Sequence, residues 1–70
     1  MNAEEMFEKL GYKKVQMCSS GWLYYERAEN DEYFGFDLIS KEISVYAYSI
    51  TIEELRAINK QCEELEWENV

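Results

Sequence analysis

Trp22-Leu23-Tyr24-Tyr25-Glu26-Arg27-Ala28-Glu29-Asn30-Asp31-Glu32-Tyr33-Phe34-Gly35-Phe36-Asp37-Leu38-Ile39 is the stretch whose reading decides the fold. On either side of the polar segment 28–31, large apolar side chains recur at every second position, the period of an extended strand whose side chains alternate between two faces. A four-residue loop at Ala28-Glu29-Asn30-Asp31 sets Tyr25 opposite Phe34, Leu23 opposite Phe36, and Arg27 opposite Glu32. Apolar meets apolar and base meets acid. A one-residue slip would send every side chain to the opposite face, so this agreement is a strong statement about register.

The same period extends in both directions. If Ser19-Ser20-Gly21 forms a three-residue loop with Gly21 left-handed, Met17 lies opposite Leu23, Val15 opposite Tyr25 and Lys14 opposite Glu26. A two-residue turn at Ser40-Lys41 places Leu38 opposite Ile43, Phe36 opposite Val45 and Phe34 opposite Ala47. Neither turn residue favours positive φ, so a longer loop is the fallback. The four runs Lys13–Cys18, Trp22–Arg27, Tyr33–Ile39 and Glu42–Ser49 therefore read as an antiparallel meander. Its inward face is expected to carry Val15, Met17, Leu23, Tyr25, Phe34, Phe36, Leu38, Ile43, Val45 and Ala47. The outer face then carries Trp22, Tyr24, Tyr33, Tyr46 and Tyr48, with Gly35 between Tyr24 and Tyr46 and with Tyr33 paired to Tyr48.

Each end of the meander adjoins a helix signal. Asn2 and Glu5 form a capping box, Ala3, Met6, Phe7 and Leu10 share one helical face, and Gly11 ends the helix, with Tyr12 able to fold back over its last turn. Thr51 and Glu54 form a second capping box, with Ile50 and Leu55 placed as a hydrophobic staple. Ile52, Leu55, Ile58, Cys62 and Leu65 then continue an apolar stripe. The expected fold is α+β: helix, four-stranded antiparallel meander sheet, helix, with both helices on one face of the sheet, in a single domain spanning residues 1–70.

Composition removes most chemistries. The chain contains no histidine, so the usual general base at neutral pH and the common nucleophile dyads are absent. The acids fall mainly on expected helix exteriors or in turns, where nothing raises a carboxyl toward neutrality, and no enzyme activity is expected. Cys18 and Cys62 are 44 positions apart, and 29–32 lacks the glycine and period of a calcium loop, so no metal site is expected. Gly11, Gly21 and Gly35 are too scattered to cradle a phosphate, and no cofactor is expected. Cys62 reads as a small core residue and Cys18 as a surface thiol beside Trp22. The two read as reduced thiols. No run is long and apolar enough to span a bilayer and the N-terminus is acidic, so the expectation is a cytoplasmic protein with no membrane partner.

Fifteen acids against seven bases give a net charge of −8, which repels nucleic acid and anionic lipid and attracts a basic partner. Glu63, Glu64, Glu66 and Glu68 crowd the end of the last helix, against the sense of its dipole. Glu53, Glu54, Glu64 and Glu68 share its outer side as an acidic flank, with Trp67 as an anchor. A base-stacking platform needs cations beside its rings, and only Lys14 is expected there, so no direct nucleic-acid contact is expected. The candidate partner-binding residues are Trp22, Tyr24, Tyr33, Tyr46, Tyr48, Glu53, Glu64, Trp67 and Glu68.

Three stretches carry a resemblance: Glu4 through Tyr12; Tyr33 through Leu38 with Ile43-Ser44-Val45-Tyr46; and Ile52-Glu53-Glu54-Leu55 with Glu63-Glu64-Leu65-Glu66-Trp67. Together they resemble small acidic proteins encoded by phages and prophages of Gram-positive bacteria. That resemblance implies an accessory protein acting in the host cytoplasm. Such proteins often bind a host factor, including defence nucleases and CRISPR effectors, sometimes by imitating nucleic acid. The expected function is a non-enzymatic inhibitor or modulator that occludes a basic surface of a host protein. The alternative is a homodimer or larger homo-oligomer, structural or regulatory, paired through the aromatic sheet face.

Overall fold

The computed structural model describes residues 1–17 and 21–67. Helix α1 (Ala3–Lys9) precedes strands β1 (Lys13–Met17), β2 (Trp22–Arg27), β3 (Glu32–Asp37) and β4 (Glu42–Tyr46), and helix α2 (Ile52–Glu64) follows. The strands form one antiparallel sheet in the order β1-β2-β3-β4. This is the α+β order expected from the sequence.

Both helices begin at reciprocal capping boxes. Asn2 Oδ1 accepts from the Glu5 amide at 2.8 Å and Thr51 Oγ1 accepts from the Glu54 amide at 3.0 Å, and each glutamate accepts in return from its cap amide. Both helices also end alike. Gly11, at φ +92°, lets Tyr12 N–H reach the Phe7 carbonyl at 2.9 Å, and Glu66, at φ +62°, lets Trp67 N–H reach the Cys62 carbonyl at 2.8 Å. The left-handed conformation costs a non-glycine residue about 1–2 kcal/mol. At Glu66 that cost is offset by returning Trp67 to the core, where its ring lies 6.3 Å from Phe36.

The central hairpin has the expected register, with Tyr25 opposite Phe34, Leu23 opposite Phe36 and Arg27 opposite Glu32. The flanking hairpins differ from expectation. In β1, Val15 pairs with Tyr24 and Lys14 with Tyr25, one residue away from the expected register, so Val15 joins the outer side and Lys14 the inner. The cause is Tyr12. Its ring is 2% exposed, edge-on to Phe7 at 5.8 Å and 5.2 Å from Phe34, and burying a tyrosine there sets the alternation of everything that follows. Met17 accordingly pairs with Trp22 rather than Leu23. The expected loop at Ser19-Ser20 and the placement of Cys18 lie outside the described residues.

The β3–β4 connection is a four-residue loop, Leu38–Lys41, not the two-residue turn. Asp37 Oδ1 accepts from the amides of Ile39 at 2.9 Å and Ser40 at 3.1 Å, so this loop needs positive φ only at Lys41, φ +62°. Those amides, Ser40 first and then Ile39, hold the Asp37 carboxyl below its ordinary value. The pairing shifts by two residues, which preserves which side each residue faces. Tyr33 now meets Tyr46, and Tyr48 lies beyond the strand.

Phe7, Tyr12, Leu23, Tyr25, Phe34, Phe36, Ala57 and Ile58 form one buried cluster, with Cys62 packed against it as expected of a core thiol. Phe7 stacks on Tyr25 with ring centroids 3.9 Å apart, and the Tyr25 hydroxyl donates to Gln61 Oε1 of α2. The expected inward residues Leu38, Ile43 and Val45 are not in this cluster. They remain 37%, 38% and 43% exposed, because the cluster draws its sheet residues from β2 and β3.

Replacing Phe7 removes the ring on which the cluster is stacked. Phe7→Ala is expected to cost about 3–5 kcal/mol, read from the midpoint of urea unfolding; a loss under about 1 kcal/mol would contradict a central role for this ring. The buried hydroxyls make a second expectation. Burial first, then the Glu54 carboxylate, raises the Tyr12 hydroxyl above its ordinary value, and burial, then Glu4, raises Tyr25. Above pH ~10 the unfolded chain releases protons that the folded chain keeps, so stability is full below that pH and falls as pH rises past it. Melting temperature should drop over the range above pH ~10, with a shallower slope in Tyr12→Phe; an unchanged slope in that variant would reject the assignment.

Candidate protein-binding surface

The outer side of the sheet is built by alternation from the four strands. Trp22, Tyr24 and Glu26 of β2 lie beside Lys13 and Val15 of β1 and beside Tyr33, Gly35 and Asp37 of β3. Glu42, Ser44 and Tyr46 of β4 complete the face. Four rings run across it as a ladder. Trp22 and Tyr24 stack at 5.6 Å and 6°, Tyr24 meets Tyr33 edge-on at 5.9 Å and 81°, and Tyr33 stacks on Tyr46 at 5.5 Å and 10°.

Gly35 explains part of this ladder. A Cβ at position 35 would stand 2.9 Å from Tyr24 Cε1 and 3.4 Å from Trp22 Cζ3, so these two rings lie directly on the backbone of β3. Of the two rings that the sequence places beside Gly35, Tyr24 covers it and Tyr46 does not; Trp22 is the second cover. Trp22, Tyr24 and Tyr33 are half-buried in consequence, whereas Tyr46 is 59% exposed.

Tyr48 is fully exposed and stands apart from the ladder. With Tyr46, Asp31, Glu32 and Val45 it lines a shallow depression of about 410 Å³ at the end of the sheet. Glu32 is not a free anion there, because it pairs with Arg27, whose guanidinium holds the carboxyl below its usual range.

The expected acidic flank of α2 is not a single surface. Glu54 is 4% exposed and accepts from the Tyr12 hydroxyl at 2.8 Å, with the Arg27 guanidinium 3.6 Å away. Glu64 accepts from the Ala3 amide at 2.8 Å, a carboxylate placed on the N-terminus of α1 where the helix dipole favours it. Glu53 is exposed, Trp67 is half-buried on Phe36, and Glu68 lies outside the described residues. The base expected beside the rings also changes. Lys14 faces the inner side, its ammonium 3.6 Å from Glu4, and Lys13 takes the outer position opposite Glu26.

Charges on the ladder face are thus Lys13 against Glu26, Asp37 and Glu42, among the described residues. Alternation along β2 and β3 alone already puts Glu26 and Asp37 beside the rings, a signal present in the sequence but absent from the expected site. Chemically, the face offers ring surface, phenolic hydroxyls and a negative rim, which together can hold a guanidinium or ammonium group. Among the described residues, no group of three or more His, Cys, Asp or Glu side chains could hold a metal ion, and no helix is long and apolar enough to cross a membrane. No family model, curated protein or solved structure matches this chain.

The cover over Gly35 can be tested directly. Gly35→Ala should tilt Tyr24 off Trp22 and destabilise the chain by about 1–3 kcal/mol, as overpacking does. Loss of the stacked-ring signal in near-ultraviolet circular dichroism would accompany it; a variant with unaltered stability and spectrum would mean that the rings do not rest on this glycine.

Proposed function

We propose that this chain is a non-catalytic binding protein that covers a basic surface of another protein with its ladder face. The observation that carries this reading is Tyr46, 59% exposed at the end of a stacked ring ladder whose rim has, among the described residues, one base against three acids. Negative charge would steer a basic partner in, and the exposed ring edges would supply short-range burial, a division of labour common at interfaces. The resemblance to small acidic phage proteins supports a host protein as the target. A nucleic-acid-handling or defence complex such as a CRISPR effector is the favoured class, inhibited by occlusion. The function would be exercised in the host cytoplasm.

Self-pairing of this face is the weaker reading. Two copies stacked ladder to ladder would bring Glu26, Asp37 and Glu42 of each toward the same acids of the other, and like charges brought together are destabilising. A nucleic-acid partner is disfavoured by the same rim.

Affinity capture from a lysate of a Gram-positive host tests the proposal, with wild type and Tyr46→Ser as baits and captured proteins identified by mass. The expected result is one basic protein retained by wild type, released as salt screens the charges, and reduced at least about tenfold by Tyr46→Ser. Equal capture by the two baits, or capture insensitive to salt, would overturn it.

A further inference from the structure

Strand β4 is an edge of the sheet, with no strand beyond it among the described residues. Its inner side carries Ile43 and Val45, 38% and 43% exposed, although their cross-strand partners Phe36 and Phe34 are fully buried. The connection that follows brings Ile50, Ile52 and Leu55 to the start of α2 with 43%, 58% and 44% of each exposed. Ile43 and Val45 therefore leave aliphatic surface uncovered where the core stops. Natural edge strands are usually protected by proline, lysine, a bulge or a covering element. None of these guards β4 among the described residues: the chain has no proline, the pairing with β3 runs unbroken, and the strand's one charge is Glu42 at its start.

We infer that a second copy of this chain covers this edge, with the two β4 strands pairing antiparallel about a twofold axis at Ser44. Self-complementarity selects the occupant. In that register Ile43 lies opposite the partner's Val45, Val45 opposite the partner's Ile43, Ser44 opposite the partner's Ser44, and Glu42 opposite the partner's Tyr46. Aliphatic meets aliphatic on the inner side. Glu42, the strand's one carboxylate, does not meet its own copy in this register. The contact also leaves the ladder face open and places two ladders on one continuous side.

The size of the contact sets its strength. A standard interface takes about 800 Å² from each partner, which is about a sixth of the 4991 Å² accessible surface of this chain. Five paired residues extend only ~17 Å, so a contact confined to β4 falls below that area. The dimer accordingly belongs to the weak class, with a dissociation constant on the order of 100 μM.

Sedimentation equilibrium of the purified full chain from about 10 μM to about 1 mM brackets such a constant. Wild type should pass from monomer to dimer across this range. Val45→Lys, which adds the charge that edge strands use for protection, should weaken pairing at least about tenfold, with circular dichroism of the dilute monomer showing that the variant remains folded. Independently, Ser44→Cys should oxidise to a dimer linked between the two copies of position 44, because residues directly opposite across a strand pair lie within disulfide reach. A wild type monomeric throughout, a dimer that survives Val45→Lys yet is lost in Tyr24→Ser, or an absence of 44-to-44 linkage would overturn the inference. These readouts involve the purified chain alone, so they stand or fall separately from a basic partner on the ladder face.

Discussion

A buried carboxylate holds the ends of this fold together. Glu54 accepts from the Thr51 amide at 2.9 Å and the Tyr12 hydroxyl at 2.8 Å, with Arg27 3.6 Å away. Arg27 in turn donates to the Leu10 carbonyl at 3.0 Å, pairs with Glu32 and lies over the Tyr12 ring at 4.7 Å. The end of α1, the approach to β1, the end of β2, the start of β3 and the start of α2 therefore meet at one charged cluster. Removing one member of this partly buried cluster leaves a desolvated polar group short of a partner, a cost of about 1–3 kcal/mol. A chain of this size has a total stability of only about 4–10 kcal/mol, so the cluster is a condition for the fold rather than an addition to it.

Its geometric consequence reaches further than its energy. Tyr12 can donate to Glu54 only by facing inward, and once it does, Lys14 must also face inward and Val15 outward. The outer side thereby gains Lys13 beside Glu26, and the inner side of β1 becomes the place where Lys14 meets Glu4 of α1. A polar contact on the inner side of the sheet thus decides which base stands near the aromatic ladder on its outer side.

What could be read from the sequence follows from the range of each interaction. The capping boxes involve residues three apart, and the central hairpin is constrained by three complementary pairs, so both were legible. The first hairpin rests on loop type in the sequence, and small polar residues do not fix a loop's length; what decides its register is the burial of Tyr12 against Phe7 and Phe34, a tertiary contact. The third hairpin depended on Asp37 accepting from two amides ahead of it, a side-chain device invisible to pairing rules. The acids of α2 share one side of a helical wheel, but Glu64 is taken up by the N-terminus of α1 and Glu54 by Tyr12, contacts made 61 and 42 residues away. Tertiary packing, which local pattern cannot report, divided one apparent acidic face into separate structural roles.

The same division applies to the rings. Trp22 and Tyr24 cover Gly35 and would be needed with no partner at all, since a glycine in a central strand otherwise leaves its backbone bare to water. Tyr33 is held between Tyr24 and Tyr46 and inherits its orientation from them. Tyr46 has no such structural obligation: it stands on an edge strand, mostly exposed, with a carboxylate rim around the face and the bare edge of β4 beside it. The inner rings of the ladder thus act as the rigid support that positions the outermost one. A preorganised ring costs little entropy to engage, which makes the β4 margin of the sheet the place where binding by this chain would be concentrated.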